Sequence, residues 1–196
     1  MSPPPVKKRD EFARRRRQLM RIMGKDAIAI LPAAPVRTRN NDVEYHYRPD
    51  SDFYYLTGFA EPEAVAVLLP GRPQGEYILF VRDRDPAREA WDGARAGPDG
   101  AVKHYVADDA FPVQDIDEIL PGLLERCSRV YYTMGANPEF DKRVIGWVNR
   151  LRSQAKQGMH TPHEFVALDH PLHEMRLFKS RAEIGSMRRA GEIACA

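Results

Sequence analysis

FYYLTGFAEPEAVAVLLPGRPQGEYILFV, residues 53–81, holds three short apolar runs: FYYLTGF (53–59), AVAVLLP (64–70) and EYILFV (76–81). Each is rich in aromatic or β-branched residues, and they are parted by Glu61-Pro62 and by the turn-forming GRPQG, a pattern that predicts three strands in an antiparallel meander. Upstream, AIAIL (27–31) reads as a buried strand closed by Pro32, and before it Phe12, Leu19, Met20 and Met23 make one stripe of a helix that Gly24 can end. Downstream, Ile116, Ile119, Leu120, Leu123 and Leu124 form a helical stripe with Pro121 as a kink or break, RVYYTM (129–134) reads as a strand, and Phe140, Val144, Trp147, Val148 and Leu151 form a further helical stripe. Strands first, then helices alternating with strands, predict an α/β fold: a mixed sheet flanked by helices.

The 196 residues are 43% hydrophobic and 30% charged, as in a folded globular protein. Thirty basic against 28 acidic residues leave a net charge of +2, too balanced to imply nucleic acid or membrane. Arg14 to Arg17 could grip phosphates, but on an amphipathic helix they are expected to form its solvated outer face. Cys127 and Cys195 fit neither a disulfide framework nor a zinc site, and no secretory h-region or membrane-length apolar run occurs, so a cytoplasmic protein is expected. RDPAREAWDGARAGPDG (84–100) predicts a short helix to Trp91 and then an exposed glycine loop, while residues 35–51 read as a long polar and aromatic loop of the kind that carries function.

Complete catalytic motifs are missing from the sequence. His163-Glu164 and His173-Glu174 begin H-E-x-x-H, but Ala167 and Leu177 stand where the second His belongs. The Asp83/Asp85, Asp108/Asp109 and Asp115/Asp117 pairs sit where caps and turns are expected. Residues 161–180, TPHEFVALDHPLHEMRLFKS, are punctuated by proline and lack a sustained period, as a connector would. Beyond them Ser180 and Glu183 have capping-box spacing, and Ile184, Met187, Gly191 and Ala194 mark an apolar face. No C′ glycine or basic last turn follows, so either that helix packs on this domain or its partner is missing.

RTRNNDVEYHYRPDSDFYYLTGFAEPEAVAVLLPG (37–71), EAWDGARAG (89–97) and HEMRLFKSRAEIGSMRRAGEI (173–193) resemble the N-terminal domain of aminopeptidase P, the Xaa-Pro aminopeptidase of the creatinase and prolidase superfamily. The resemblance implies a peptidase acting on peptides with proline in second position. Its chemistry would lie in a following pita-bread domain, where two Asp, one His and two Glu hold two Mn2+ ions that activate water. It implies further that residues 1–9 are a disordered start, 10–160 the N-terminal domain, 161–179 an interdomain linker and 180–196 the beginning of the catalytic domain. The chain alone would be inactive and would hold no metal. The parent would form a homo-oligomer, dimer or tetramer, in which Asp42 and Trp91 reach a neighbouring subunit's substrate site. From the residues alone, Trp91 packing on its own sheet is the preferred reading, and for Asp42 an Asx-turn stands level with a site role. His46 departs from a Pro common in the family, and Lys156 stands where some relatives have Arg. A prolidase-like dipeptidase and a free-standing interaction module are the alternative readings.

Overall fold

The computed structural model describes residues 6–154 and 160–195. A six-stranded sheet runs in the order β6 (Asp109–Pro112), β5 (Tyr77–Val81), β4 (Val65–Leu68), β1 (Ala27–Pro32), β7 (Arg129–Tyr131) and β8 (Glu164–Val166). β4 is antiparallel to both β1 and β5, with Ile30 opposite Val67 and Ala66 opposite Leu79. β1, β7 and β8 are mutually parallel, as are β5 and β6. Five strands therefore point one way and β4 the other.

Side-chain alternation sorts these strands onto two cores. Ala29, Leu31, Ala66, Leu68, Leu79 and Val81 face α1 (Val6–Met23), α2 (Ser51–Thr57), α4 (Gly97–Tyr105) and α7 (Asp169–Leu177), whose Leu19, Phe53, Ala101 and Met175 complete that layer. Ile28, Ile30, Val67, Ile78 and Phe80 face α5 (Ile116–Leu124) and α6 (Pro138–Gln154) through Leu120, Val144, Trp147 and Leu151. The result is a helix–sheet–helix sandwich, the mixed α/β arrangement expected. Pro121 lies inside α5 without ending it. Among the described residues no helix is long and apolar enough to cross a membrane.

Residues 53–57 belong to helix α2, which Gly58 ends, and are not the first strand of a meander. The Asp50 carboxylate accepts the amides of Asp52 and Phe53, each at 2.9 Å, and Gly58 closes the helix at φ 65° with its N–H on the Tyr54 carbonyl. Buried Phe53, Leu56 and Thr57 then fall on one helical face. Two caps and that spacing outweigh the strand preference of the aromatic side chains. The meander is completed instead by β1.

The Arg14 to Arg17 run is likewise only half solvated. Arg14 and Arg17 are exposed, but Arg15 and Arg16 are buried, because α2 ends beneath them and leaves carbonyls without helical partners. Arg15 donates to the Tyr55 carbonyl at 3.1 Å and Arg16 to that of Leu56 at 2.9 Å. Their guanidiniums also stack on Tyr55 and Tyr77 at 4.1 and 3.8 Å from the ring centroids. Burial lowers the pKa of Arg16 from its ordinary value.

Three more readings are corrected. Helix α1 is already formed at Val6, within the stretch expected to be disordered; residues 1–5 of that stretch lie outside the described residues. The glycine loop is short, because Gly97–Tyr105 is helical and feeds β6. Residues 161–179, expected to connect rather than pack, supply β8 at the sheet edge and α7, whose Leu172 and Met175 enter the core.

Candidate functional site

Because β1 and β5 run parallel, the segments leaving them emerge at the same end of the sheet, the carboxyl end of the five co-directional strands. Crevices at that end are where open α/β sheets bind ligands. The segments that contain Asp42 and Trp91 both leave the sheet at that end.

The segment after β1 folds back as a small hairpin, β2 (Thr38–Asn40) and β3 (Val43–Glu44), closed by Tyr45 N–H donating to the Arg37 carbonyl at 2.9 Å. Asn41, at φ 46°, and Asp42 form its turn, and every residue from Thr38 to Glu44 is exposed. Its base surrounds a hollow of about 330 Å³ lined by Arg37, Tyr45, His46, Tyr47, Arg48 and Asp50. Burial pushes the Tyr47 phenol up to about 12, so at neutral pH it is a hydroxyl donating to the Ala34 carbonyl at 3.1 Å.

The segment after β5 forms α3 (Pro86–Asp92). Asp85 caps it by accepting the Ala87 and Arg88 amides, and Arg84 grips Glu89 through two hydrogen bonds of 3.0 and 2.9 Å. Gly93, at φ 87°, ends the helix, and beyond it the Ala96 amide donates to Glu61 at 2.9 Å. Trp91 is 91% exposed on this scaffold, so it does not pack on its own sheet. An exposed indole held on an anchored loop can form one wall of a pocket built with another surface. The structure records no contact between Asp42 and Trp91; what they share is that their segments leave the same end of the sheet. Lys156 lies outside the described residues.

A second opening, a groove of about 510 Å³, lies between α1, α2, α7 and α8 (Arg181–Ala194) and is lined by Phe12, Tyr54, Arg48, Arg176, Lys179 and Met187, among others. The capping box of α8 is complete, with Ser180 Oγ accepting the Glu183 amide at 3.2 Å and Glu183 accepting the Ser180 amide at 2.7 Å. The same Ser180 hydroxyl donates to Glu11 at 2.6 Å, and Arg15 stands 3.2 Å from Glu183. Partial burial of Glu183 acts to raise its pKa, but the Ser180 amide and the Arg15 charge prevail and hold the carboxyl below its ordinary value. Past this first turn no residue of α8 is buried: Ile184, Met187 and Ile193 are 40, 61 and 65% exposed.

Asp52 gathers Arg176 in an ion pair and His173 at 3.7 Å, which ties α7 to α2. His163 and Glu164 are exposed. Of the aspartate pairs, Asp85 caps α3, Asp108 accepts the Glu76 and Tyr77 amides, and Asp117 binds Arg143 and Trp147 Nε1. Among the described residues no three His, Cys, Asp or Glu side chains come together as a metal site. In the sequence Glu61 reads as part of a break between strands, and only its contact with the Ala96 amide singles it out.

The family model for the aminopeptidase P N-terminal domain matches residues 12–131. Escherichia coli Xaa-Pro aminopeptidase is 41% identical over 186 residues, covering 94% of this chain and 42% of that protein. The solved structure of Pseudomonas aeruginosa aminopeptidase PepP superposes with a TM-score of 0.93 at 60% identity, over 98% of this chain and 43% of that one. Zn-substituted E. coli aminopeptidase P in complex with product superposes at 0.90 with 40% identity, over 98% and 43%. The chain thus spans about two fifths of the length of the relatives it matches.

Proposed function

The chain belongs to the aminopeptidase P N-terminal domain family, and from that premise we propose that its parent is a metal-dependent Xaa-Pro aminopeptidase in which these residues shape the substrate site but do not perform the hydrolysis. The observation that carries this reading is the likeness to PepP along 98% of the chain at 60% identity. In this reading a dinuclear manganese centre sits on polypeptide absent from this sequence. When bound, such a pair lowers the pKa of water and polarises the scissile carbonyl. The residues described here do not fit that group, since they bring no ligand set together, and no step is routed through it on this chain.

What this chain's own residues contribute is position. Helix α8, tied at its first turn and bare along Ile184, Met187 and Ile193, opens the catalytic domain. Asp42 on its hairpin and Trp91 on α3 project from one end of the sheet toward the site of a second copy in a homo-oligomer, dimer or tetramer. There the indole walls the pocket that receives a peptide with proline in second position. The reading also takes the protein as cytoplasmic, in keeping with its free Cys127 and Cys195.

The test is to incubate this chain, and separately its full-length parent, with an Xaa-Pro-containing tripeptide and Mn2+. Release of the first residue is expected from the parent alone. Turnover by the 196-residue chain would overturn the assignment of the chemistry to the rest of the parent.

A further inference from the structure

Helix α3 carries the most exposed large hydrophobic side chain of the described residues, yet none of Pro86 to Trp91 joins either core. Nothing apolar fixes its orientation, so its polar contacts must. Several are local: Asp85 caps its first turn, and Glu89 pairs with Arg84 and takes a backbone hydrogen bond from Arg95. A further hold comes from far along the chain. Glu61, in the turn that enters β4, reaches the segment after α3 and accepts the Ala96 amide with Oε1. Its other oxygen, Oε2, faces Arg82 Nη2 at 3.7 Å, with Arg82 standing just after β5.

Both partners are nearly enclosed, at 12 and 14% exposure, and neither Glu61 Oε2 nor Arg82 Nε has a hydrogen-bond partner. A buried ion pair this loosely satisfied is a poor source of stability, because desolvating the two charges costs as much as their attraction returns. What such a pair supplies is a fixed place for whatever the carboxylate holds. Here that is the Ala96 amide, between Gly93 and Gly97, two glycines at φ 87° and 65°, in a segment that Arg95 also ties back through its guanidinium to the Asp83 carbonyl at 3.4 Å.

We propose that Glu61 is a positioning residue, whose carboxylate, oriented by Arg82, holds the segment between α3 and α4 and so sets the angle at which Trp91 is presented. The consequence for substrate binding rests on the reading of Trp91 given above; the hold on the segment does not.

The test compares Glu61→Ala and Glu61→Gln in this chain by amide hydrogen exchange and by the heteronuclear NOE of the Trp91 indole N–H. Removing the acceptor is expected to speed exchange at Ala96 about tenfold, the equivalent of one hydrogen bond, and to lower the indole NOE, while the β4 and β5 amides keep their protection. Gln keeps an acceptor for Ala96 and is expected to restore both. If Ala96 and the indole do not change, if Gln fails to rescue, or if β4 and β5 lose protection together with them, Glu61 is a structural residue and the proposal is overturned. In the full-length parent, Glu61→Ala and Trp91→Ala are expected to raise KM by the same factor, with no further rise in the double variant. Additive effects would overturn the proposed link between the two. A Trp91→Ala parent with unaltered KM would instead overturn the reading of Trp91, and the exchange data would still decide whether Glu61 holds the segment.

Discussion

Gly58→Ala should be among the most damaging single-methyl changes available to this domain. Gly58 ends α2 at φ 65°, a conformation that costs an L-residue about 1 kcal/mol. The added Cβ would stand 2.3 Å from Phe12 Cε2 and 2.8 Å from Cδ2 and Cζ, well inside van der Waals contact. Phe12 cannot simply step aside, because it is 5% exposed, packs edge-on to Tyr54 with centroids 5.8 Å apart, and lies beneath the Arg15 guanidinium at 5.5 Å. Overpacking of this kind costs about 1–3 kcal/mol, for a total of about 2–4 kcal/mol. In a chain of this size that lowers Tm by about 5–15 °C. Gly71→Ala is the control, for Gly71 also has positive φ, at 81°, but a Cβ there meets nothing within 4 Å, so only the backbone cost of about 1 kcal/mol applies. Thermal unfolding followed by circular dichroism measures both. The decisive comparison adds Phe12→Ala: once the ring is gone the overlap is gone, and Gly58→Ala should then cost about 1 kcal/mol, as at Gly71. Equal losses for Gly58→Ala and Gly71→Ala, or strict additivity with Phe12→Ala, would refute the close-contact reasoning.

Other outcomes follow from the same geometry. Asp50→Ala removes the side-chain cap of α2 and should cost about 1 kcal/mol in chemical denaturation, while Asp50→Asn, which keeps an acceptor, should recover most of it; equal losses would mean the carboxyl charge matters and the cap does not. Glu183 has a lowered pKa in the folded state, so its contribution to seating α8 is fully present above the ordinary glutamate value and is lost as pH falls through the folded one. Exchange of the first α8 amides should therefore accelerate in acid well before the core opens, and Glu183→Gln should remove that dependence. Burial raises the Cys127 thiol to about 11, leaving about 0.1% thiolate at pH 8. A thiol reagent should thus modify exposed Cys195 at once and Cys127 only on unfolding, and rapid loss of both thiols in the native state would contradict the packing of α5 against the sheet.

Where one element dominates its own neighbourhood, the sequence was a sufficient guide. The α6 stripe of Phe140, Val144, Trp147, Val148 and Leu151 is buried as its period demands, and β1, β4 and β5 are the fully apolar runs that a sheet covered on both faces requires. Legibility failed where distant chain sets the outcome. Phe53, Tyr54 and Tyr55 favour a strand by propensity, and what makes them helical is Asp50 on one side and Gly58 against Phe12 on the other. Arg15 and Arg16 look like surface charge because their acceptors, the last carbonyls of α2, lie 40 positions away. Strand β8 is too short to show a period, and it exists because β7 offers it an unpaired edge.

The residues that carry the resemblance divide by the same logic. Most of RPDSDFYYLTGFAEPEA does physical work inside this domain: Asp50 caps, Asp52 pairs with Arg176, Tyr55 donates to the Met175 carbonyl at 3.2 Å, Gly58 admits Phe12, and Glu61 holds Ala96. Substituting any of these should register in stability or local order whether or not the parent is a peptidase. Trp91 and Asp42 differ, for one is almost wholly exposed and the other sits in an exposed turn. The indole joins neither core, and in the proposed reading it is a second surface that makes use of it. Trp91→Ala should accordingly leave Tm within about 1 °C, as for a surface change, while raising KM of the full-length parent. A destabilised Trp91→Ala chain would show that the indole serves this domain after all.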